Sequence, residues 1–160
     1  ADEAGLAAPT LVQRFGSKKA LMAAFARHAG EASAQALADD GTGNPLARLE
    51  KGLLRDLGAG DGPEALAHHL ARTHLELTDP ELHALTAQRA RRRRKAIRAL
   101  LDRAVSEGRL VSRTRTGRLS RSLETTVQGA RSTWAIHRRK SLERWVRREI
   151  RSVLEPWLRG

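Results

Sequence analysis

With 160 residues, the chain is long enough for one ordinary domain or for a small module joined to a larger one. It has no cysteine, no secretory leader and no apolar run near the roughly 18 residues that cross a bilayer, so we expect a cytoplasmic protein without disulfides or membrane spans. Residues 1–88 carry 8 basic and 12 acidic side chains, whereas residues 89–160 carry 22 and 6, so the net charge of +12 arises in the second half.

The composition predicts an all-α fold. Leucine, alanine and arginine dominate, only 3% of the residues are aromatic, and no window shows sustained alternation of apolar and polar residues. Asn44 and Asp79 are each followed by proline, a pattern typical of a helix N-cap, and Gly108 is typical of a helix end. The predicted helices span residues 8–15, 17–38, 45–58, 63–77, 80–107, 116–139 and 141–155.

The N-terminal residues have the pattern of a helix-turn-helix. Gly5 ends one helix, a short turn follows, and Pro9 lies in the first turn of the next helix, where its missing N–H is not needed. Leu11 and Phe15 are four residues apart on one face of that helix and are expected to be buried. The opposite, polar face can contact base edges, and it consists of Thr10, Gln13 and Arg14.

Two lysines follow in the first turn of the next helix. Ser17 is the predicted N-cap, and Lys18 and Lys19 oppose the helix dipole there, at a cost of a few tenths of a kcal/mol each. A phosphate group bound at this helix N-terminus would use both the free N–H groups and the lysine charge. Binding of a DNA phosphate at this position would therefore explain why two lysines occur there.

Residues 4–21, AGLAAPTLVQRFGSKKAL, resemble the signature of the TetR (tetracycline-repressor-like) family of transcriptional regulators. The resemblance implies a homodimer that binds a palindromic double-stranded DNA operator and responds to a small-molecule effector, typically as a repressor. It divides the chain into residues 1–25, the C-terminal part of a DNA-binding head, and residues 26–160, a helical ligand-binding and dimerisation domain. It implies phosphate contacts for Thr10 and Lys18 and a major-groove position for Ala8, Pro9, Gln13 and Arg14.

The chain departs from the family pattern at three points. Val12 stands where the family usually has a tyrosine, and Ala7 stands where it usually has a serine or threonine cap. The first helix of the family and most of the second have no counterpart among the 160 residues. These departures leave open an alternative function, a helical ligand-binding or adaptor dimer with a degenerate DNA-binding head.

Helix 80–107 differs from the others because Arg89 and Arg93 interrupt its apolar stripe. The run from Arg89 to Lys95, which also includes Arg91, Arg92 and Arg94, spreads around about 200° of the helix, so a solvated face and a nucleic-acid patch are both possible interpretations. Buried arginines would need carboxylates or a bound anion. The resemblance to the TetR family implies that the effector is held by the helices at about residues 45–107, which is where Arg89 and Arg93 interrupt the stripe. We therefore predict a cavity for an anionic effector within these residues. Its candidate residues are Arg89, Arg93, His69 and Thr73.

The last two long helices carry long apolar stripes. Together with the resemblance, these stripes predict a four-helix dimer interface. The candidate interface residues are Leu119, Leu123, Val127, Trp134, Leu142, Trp145, Ile150 and Leu154.

Nothing in the chain has the pattern of catalysis or metal binding. H-E-x-x-H, G-x-S-x-G, P-loop and Rossmann motifs are all lacking, so no enzyme activity is expected. The six histidines lack the spacing of metal ligands and are better interpreted as packed or surface residues. We expect neither a cofactor nor a metal.

Overall fold

The computed structural model describes residues 15–55, 57, 63–137 and 141–159, with only the backbone described for Lys18, Ala29 and Pro63. Within these residues the fold is all-α, as predicted, and the sole β-type contact is one isolated antiparallel bridge between Leu110 and Leu158. The helices are α1 (Lys18–Ala36), α2 (Pro45–Arg55), α3 (Pro63–Thr78), α4 (Pro80–Ser106), α5 (Thr116–His137), α6 (Leu142–Leu154) and a final 3-10 turn (Glu155–Trp157).

The helix ends follow from the capping residues. Ser17 accepts a hydrogen bond from the backbone N–H of Ala20 at 3.0 Å, and Asp79 accepts from the backbone N–H groups of Glu81 and Leu82 at the start of α4. Gly108 has a φ of +70°, the left-handed conformation that ends helices. The helices predicted from residue 17 onward are thus confirmed, whereas the helix predicted at 8–15 lies outside the described residues except for Phe15.

Helix α4 is the central element of the described fold. It contacts α1, α2, α3 and α5, and α5 in turn packs on α6. The C-terminal half of α4 supplies four residues to the main core, which are Ile97, Leu100, Leu101 and Ala104. They pack with apolar residues of the other helices, mainly Leu49, Leu53, Leu119, Leu123, Val127, Trp134, Leu142, Val146, Ile150 and Leu154.

Seven of the eight residues predicted for the dimer interface lie in the core of the single chain. Leu123 and Ile150 are fully buried, and Trp134 is only 6% exposed. The stripes of α5 and α6 face each other and also α4 and α2, so their apolar surface is used within the chain. The same holds for Leu119, Val127, Leu142 and Leu154.

Trp145, the eighth candidate interface residue, is only partly buried and packs against the edge of the same core. The guanidinium of Arg148 lies 4.7 Å from the centre of its ring, which places a charged group over the indole. Arg147 and Arg151, on the same helix, bind the carboxylate of Glu50 on α2. The outer side of α6 is therefore charged.

The C-terminal tail is attached to the turn after α4. The backbone N–H of Val111 donates to the carbonyl of Trp157 at 2.9 Å, and the N–H of Arg159 donates to the carbonyl of Arg109 at 3.0 Å. The Trp157 side chain packs against the main core. These contacts hold the end of the chain against α4 and α6. None of the helices in the described ranges combines the length and apolar character that a membrane crossing needs.

Candidate ligand cavity

A cavity of about 860 Å³ lies between α3, α4 and α5 and is bordered by Ser33 of α1. Its volume is within the roughly 300–1,000 Å³ of small-molecule sites. All four predicted ligand-contacting residues line it, His69 and Thr73 from α3 and Arg89 and Arg93 from α4. The structure therefore brings together residues that are up to 24 positions apart in the sequence.

The two halves of α4 have different roles because the character of one helical face changes along its length. In the N-terminal half, positions three or four residues apart carry Thr86, Arg89 and Arg93, which line the cavity. Four residues after Arg93 the same face continues with Ile97, which is fully buried in the core. The change from arginine to aliphatic side chains marks where the cavity ends and the core begins.

The polar centre of the cavity is a buried carboxylate, Glu76 of α3. Its side chain is 4% exposed, and its Oε2 accepts a hydrogen bond from Nη2 of Arg89 at 3.2 Å. Its Oε1 lies 3.5 Å from Nε of Arg72. Glu76 thus supplies part of the counter-charge that the arginine at 89 was expected to need. Sequence reasoning missed it, although it lies three residues after Thr73 on the same face of α3.

His69 is held in its neutral form. Its Nδ1 lies 2.8 Å from Nη2 of Arg72, and because a guanidinium has only donors, Nδ1 must accept and the ring proton is on Nε2. Burial lowers the pKa of His69 to about 4, and the nearby charges of Arg131 and Arg72 act in the same direction. Thr73 is already engaged, since its hydroxyl donates to the His69 carbonyl at 2.8 Å.

The opposite wall comes from α5. Glu124 accepts a hydrogen bond from Nε of Arg94 at 2.6 Å, which connects α5 to α4 across the edge of the cavity. Arg121 and Arg131 also line this wall, and Nη2 of Arg131 donates to the carbonyl of Leu57 at 3.4 Å. This wall was not foreseen, because the candidate region ended at residue 107.

The cavity lining has a strong excess of positive charge. Among the residues that the structure describes, six arginines and two carboxylates line it and His69 is neutral, which leaves a net charge of +4. The six are Arg72, Arg89, Arg93, Arg94, Arg121 and Arg131. Such a lining favours an anionic ligand. Among the described residues, no group of three or more histidine, aspartate or glutamate side chains could hold a metal ion.

The other arginines of the run on α4 have a different environment. Arg91, Arg92 and Lys95 are exposed, whereas Arg89 and Arg93 are partly buried at the cavity. The run is thus divided between two environments. Its outward members form a solvated face, and its inward members line the cavity.

The residues expected to contact DNA lie mostly outside the described part of the chain. This applies to Ala8, Pro9, Thr10, Gln13 and Arg14, while Lys18 is described only as the first residue of α1. Its neighbour Lys19 has a partner within the chain, because its Nζ lies 3.0 Å from Asp79 and 3.3 Å from Glu81. The second lysine of the pair therefore needs no phosphate to explain its position.

Comparison of the chain with protein-family models, with curated proteins and with solved structures finds no match.

Proposed function

We propose that the chain is a ligand-responsive transcriptional regulator of the TetR type that binds a palindromic operator as a homodimer. The observation that carries the proposal is the arginine-lined cavity of about 860 Å³, which lies in the helical domain that follows the TetR-like segment 4–21. A motif for DNA recognition followed by an all-α domain with a small-molecule cavity is the organisation that this function requires.

Contacts between α1 and the cavity support a link between effector and operator. Helix α1 begins at Lys18, within the last residues of the TetR-like segment, and packs along α4. At Gly30 the backbone of α1 approaches Arg89 so closely that an added Cβ would lie 3.4 Å from its Cγ. A ligand that moves Arg89 would therefore press on α1, and through α1 on the helix that reads DNA.

A dimer is required because a palindromic operator is read by two recognition helices held about one helical turn, ~34–36 Å, apart. Since the inner faces of α5 and α6 form the core, the outward faces remain for association. Ile136 is 79% exposed on α5, and Arg118 and Arg144 are exposed on α5 and α6. We expect the dimer to tighten as salt rises, because salt screens the repulsion between these arginines. Sedimentation at micromolar concentration tests this, and a monomer at all salt concentrations would contradict the dimer.

The experiment that tests the function is a gel-shift assay with the complete reading frame and the DNA upstream of its own gene. We expect binding about a thousandfold or more tighter than to a scrambled fragment of equal length and composition. Arg14→Ala should relax the preference at one operator position by about 1–3 kcal/mol.

One alternative is favoured by a specific observation, the valine at position 12. Without the hydroxyl that the family usually has there, the head could be degenerate and the chain a helical ligand-binding or adaptor dimer. Equal affinity for the upstream and scrambled fragments would support this alternative and contradict the regulator.

A further inference from the structure

We propose that the ligand of the cavity is a compact organic anion with at least two negative charges, carried by carboxylate or phosphate groups. The proposal rests on the proposed function only in taking the cavity as the effector site. The proposal depends on the arginines of α4 and α5 that line the cavity, above all Arg89, Arg93 and Arg121.

The charge balance is the first argument. Glu76 lies between Arg72 and Arg89, and Glu124 binds Arg94, so two carboxylates face six guanidinium groups. Charges at a partly buried site such as that of Glu76 and Arg89 interact more strongly than charges in water. A ligand with two or more negative charges offsets at least half of the excess of four, whereas a neutral ligand offsets none of it.

The low pKa of His69 agrees with an excess of positive charge in the cavity. Burial is the main reason for its low pKa, but Arg131 and Arg72 lower it further and outweigh the opposing effect of Glu76. Burial disfavours a charge of either sign, but the contribution of the arginines reflects a positive potential at the ring, and this potential favours a negative charge nearby.

The cavity also offers polar groups that a ligand could use. The hydroxyl Oγ1 of Thr86 is buried in the cavity wall and has no hydrogen-bond partner among the described residues. A hydroxyl in that state is costly unless it bonds to something, and an anionic oxygen is a suitable acceptor. One guanidinium group can donate two parallel hydrogen bonds to the oxygens of a carboxylate or phosphate group.

Carboxylate and phosphate ligands share this chemistry, so the test uses one probe of each kind. Citrate and inorganic pyrophosphate are titrated into the purified chain by calorimetry, without DNA and at matched ionic strength. Triethyl citrate is the uncharged control. We expect saturable binding of at least one anion and none of the ester. Preference for citrate or for pyrophosphate identifies which group the ligand carries.

The variants locate the site. Arg93→Gln and Arg121→Gln should each weaken anion binding about tenfold or more, because each removes a charged hydrogen-bond donor. Glu76→Gln should instead strengthen binding severalfold, since it removes a negative charge from the cavity. A change of opposite sign is not expected from general damage to the fold, and far-UV circular dichroism checks that each variant is folded.

The matched control is Arg98→Gln, which removes the same charge from α4 outside the cavity. Arg98 pairs with Asp102 and lines a shallow basic groove on the surface. Arg94 and Arg121 line both this groove and the cavity, whereas Arg93 lines only the cavity, so Arg93 is the residue to compare with Arg98. Substitution of Arg98 should change anion binding by less than about twofold. If Arg98→Gln weakens binding as much as Arg93→Gln, or if neither anion saturates, the cavity proposal is wrong. Because no DNA is present, this outcome is independent of the gel-shift assay.

Discussion

Nζ of Lys19, in the first turn of α1, lies 3.0 Å from a carboxylate oxygen of Asp79, the residue that caps α4. Glu81 contributes a second carboxylate to the same ammonium group at 3.3 Å. Hydrogen bonds to these two carboxylates raise the pKa of Lys19, and the hydrogen bond from the Leu82 N–H, followed by that from Lys19, lowers the pKa of Asp79. The start of α1 is thereby attached to the corner between α3 and α4.

This pairing gives two adjacent lysines different expected roles. Lys18→Ala should weaken binding to specific and to random DNA alike and lower the salt slope by about one counterion, because the lysine is expected to bind phosphate. Lys19→Ala is the matched control and should leave the slope unchanged, since its charge is already used within the chain. Gel shifts at several salt concentrations measure both. Equal slopes for Lys18→Ala and the wild type would remove Lys18 from the DNA interface.

Two helical glycines are expected to respond oppositely to alanine. A Cβ at Gly52 would lie 2.6 Å from Cδ2 of Leu37 and 2.8 Å from the carbonyl oxygen of Ala36. Gly52→Ala should therefore lower the free energy of unfolding by about 1–3 kcal/mol despite the better helix propensity of alanine. Gly129, in α5, has nothing within 4 Å of its added Cβ, and Gly129→Ala should raise stability by about 0.5–1 kcal/mol. Urea unfolding measures the free energy of unfolding of both variants. If Gly52→Ala raises it as Gly129→Ala does, the close approach of α1 and α2 is contradicted.

The low pKa of His69 predicts that acid destabilises the fold. Between pH 6.5 and about 4, the unfolded chain binds a proton at this residue and the folded chain does not, so the free energy of unfolding falls as the pH falls through this range. His69→Gln keeps an acceptor for Arg72 and removes the titration. We expect the difference in stability between wild type and variant to change between pH 6.5 and 4 and to stay constant above pH 7. A constant difference throughout would mean that His69 titrates normally.

Trp134 and Ile136 lie two residues apart on α5 and differ in environment. Trp134 is 6% exposed in the core, whereas Ile136 is 79% exposed. Trp134→Ala should lower the free energy of unfolding by roughly 3–5 kcal/mol, because it leaves a cavity in the core, and Ile136→Ala should change it by less than about 0.5 kcal/mol. Chemical denaturation compares them at a protein concentration low enough to keep the chain monomeric, because Ile136 lies on the outward face proposed for association. Equal effects would mean that Trp134 is not a core residue.

Local sequence features determined the fold class and the helix boundaries. Ser17, Asp79 and Gly108 act on backbone groups within a few residues of themselves, so their effects can be predicted without the tertiary structure. The interruption of the α4 stripe by Arg89 and Arg93 was visible for the same reason, because helical periodicity assigns each residue to a face. Both residues lie at the cavity that this interruption predicted.

Only the tertiary structure decided which apolar faces meet and which charges pair. An apolar stripe has the same pattern whether it packs within a chain or against a second copy, so Trp134 was assigned to an interface although it lies in the core. The partners of Arg89 and Lys19 lie 13 and 60 residues away along the chain, at Glu76 and Asp79. Electrostatic attraction depends on distance in space, and periodicity within one helix does not determine the distance between helices.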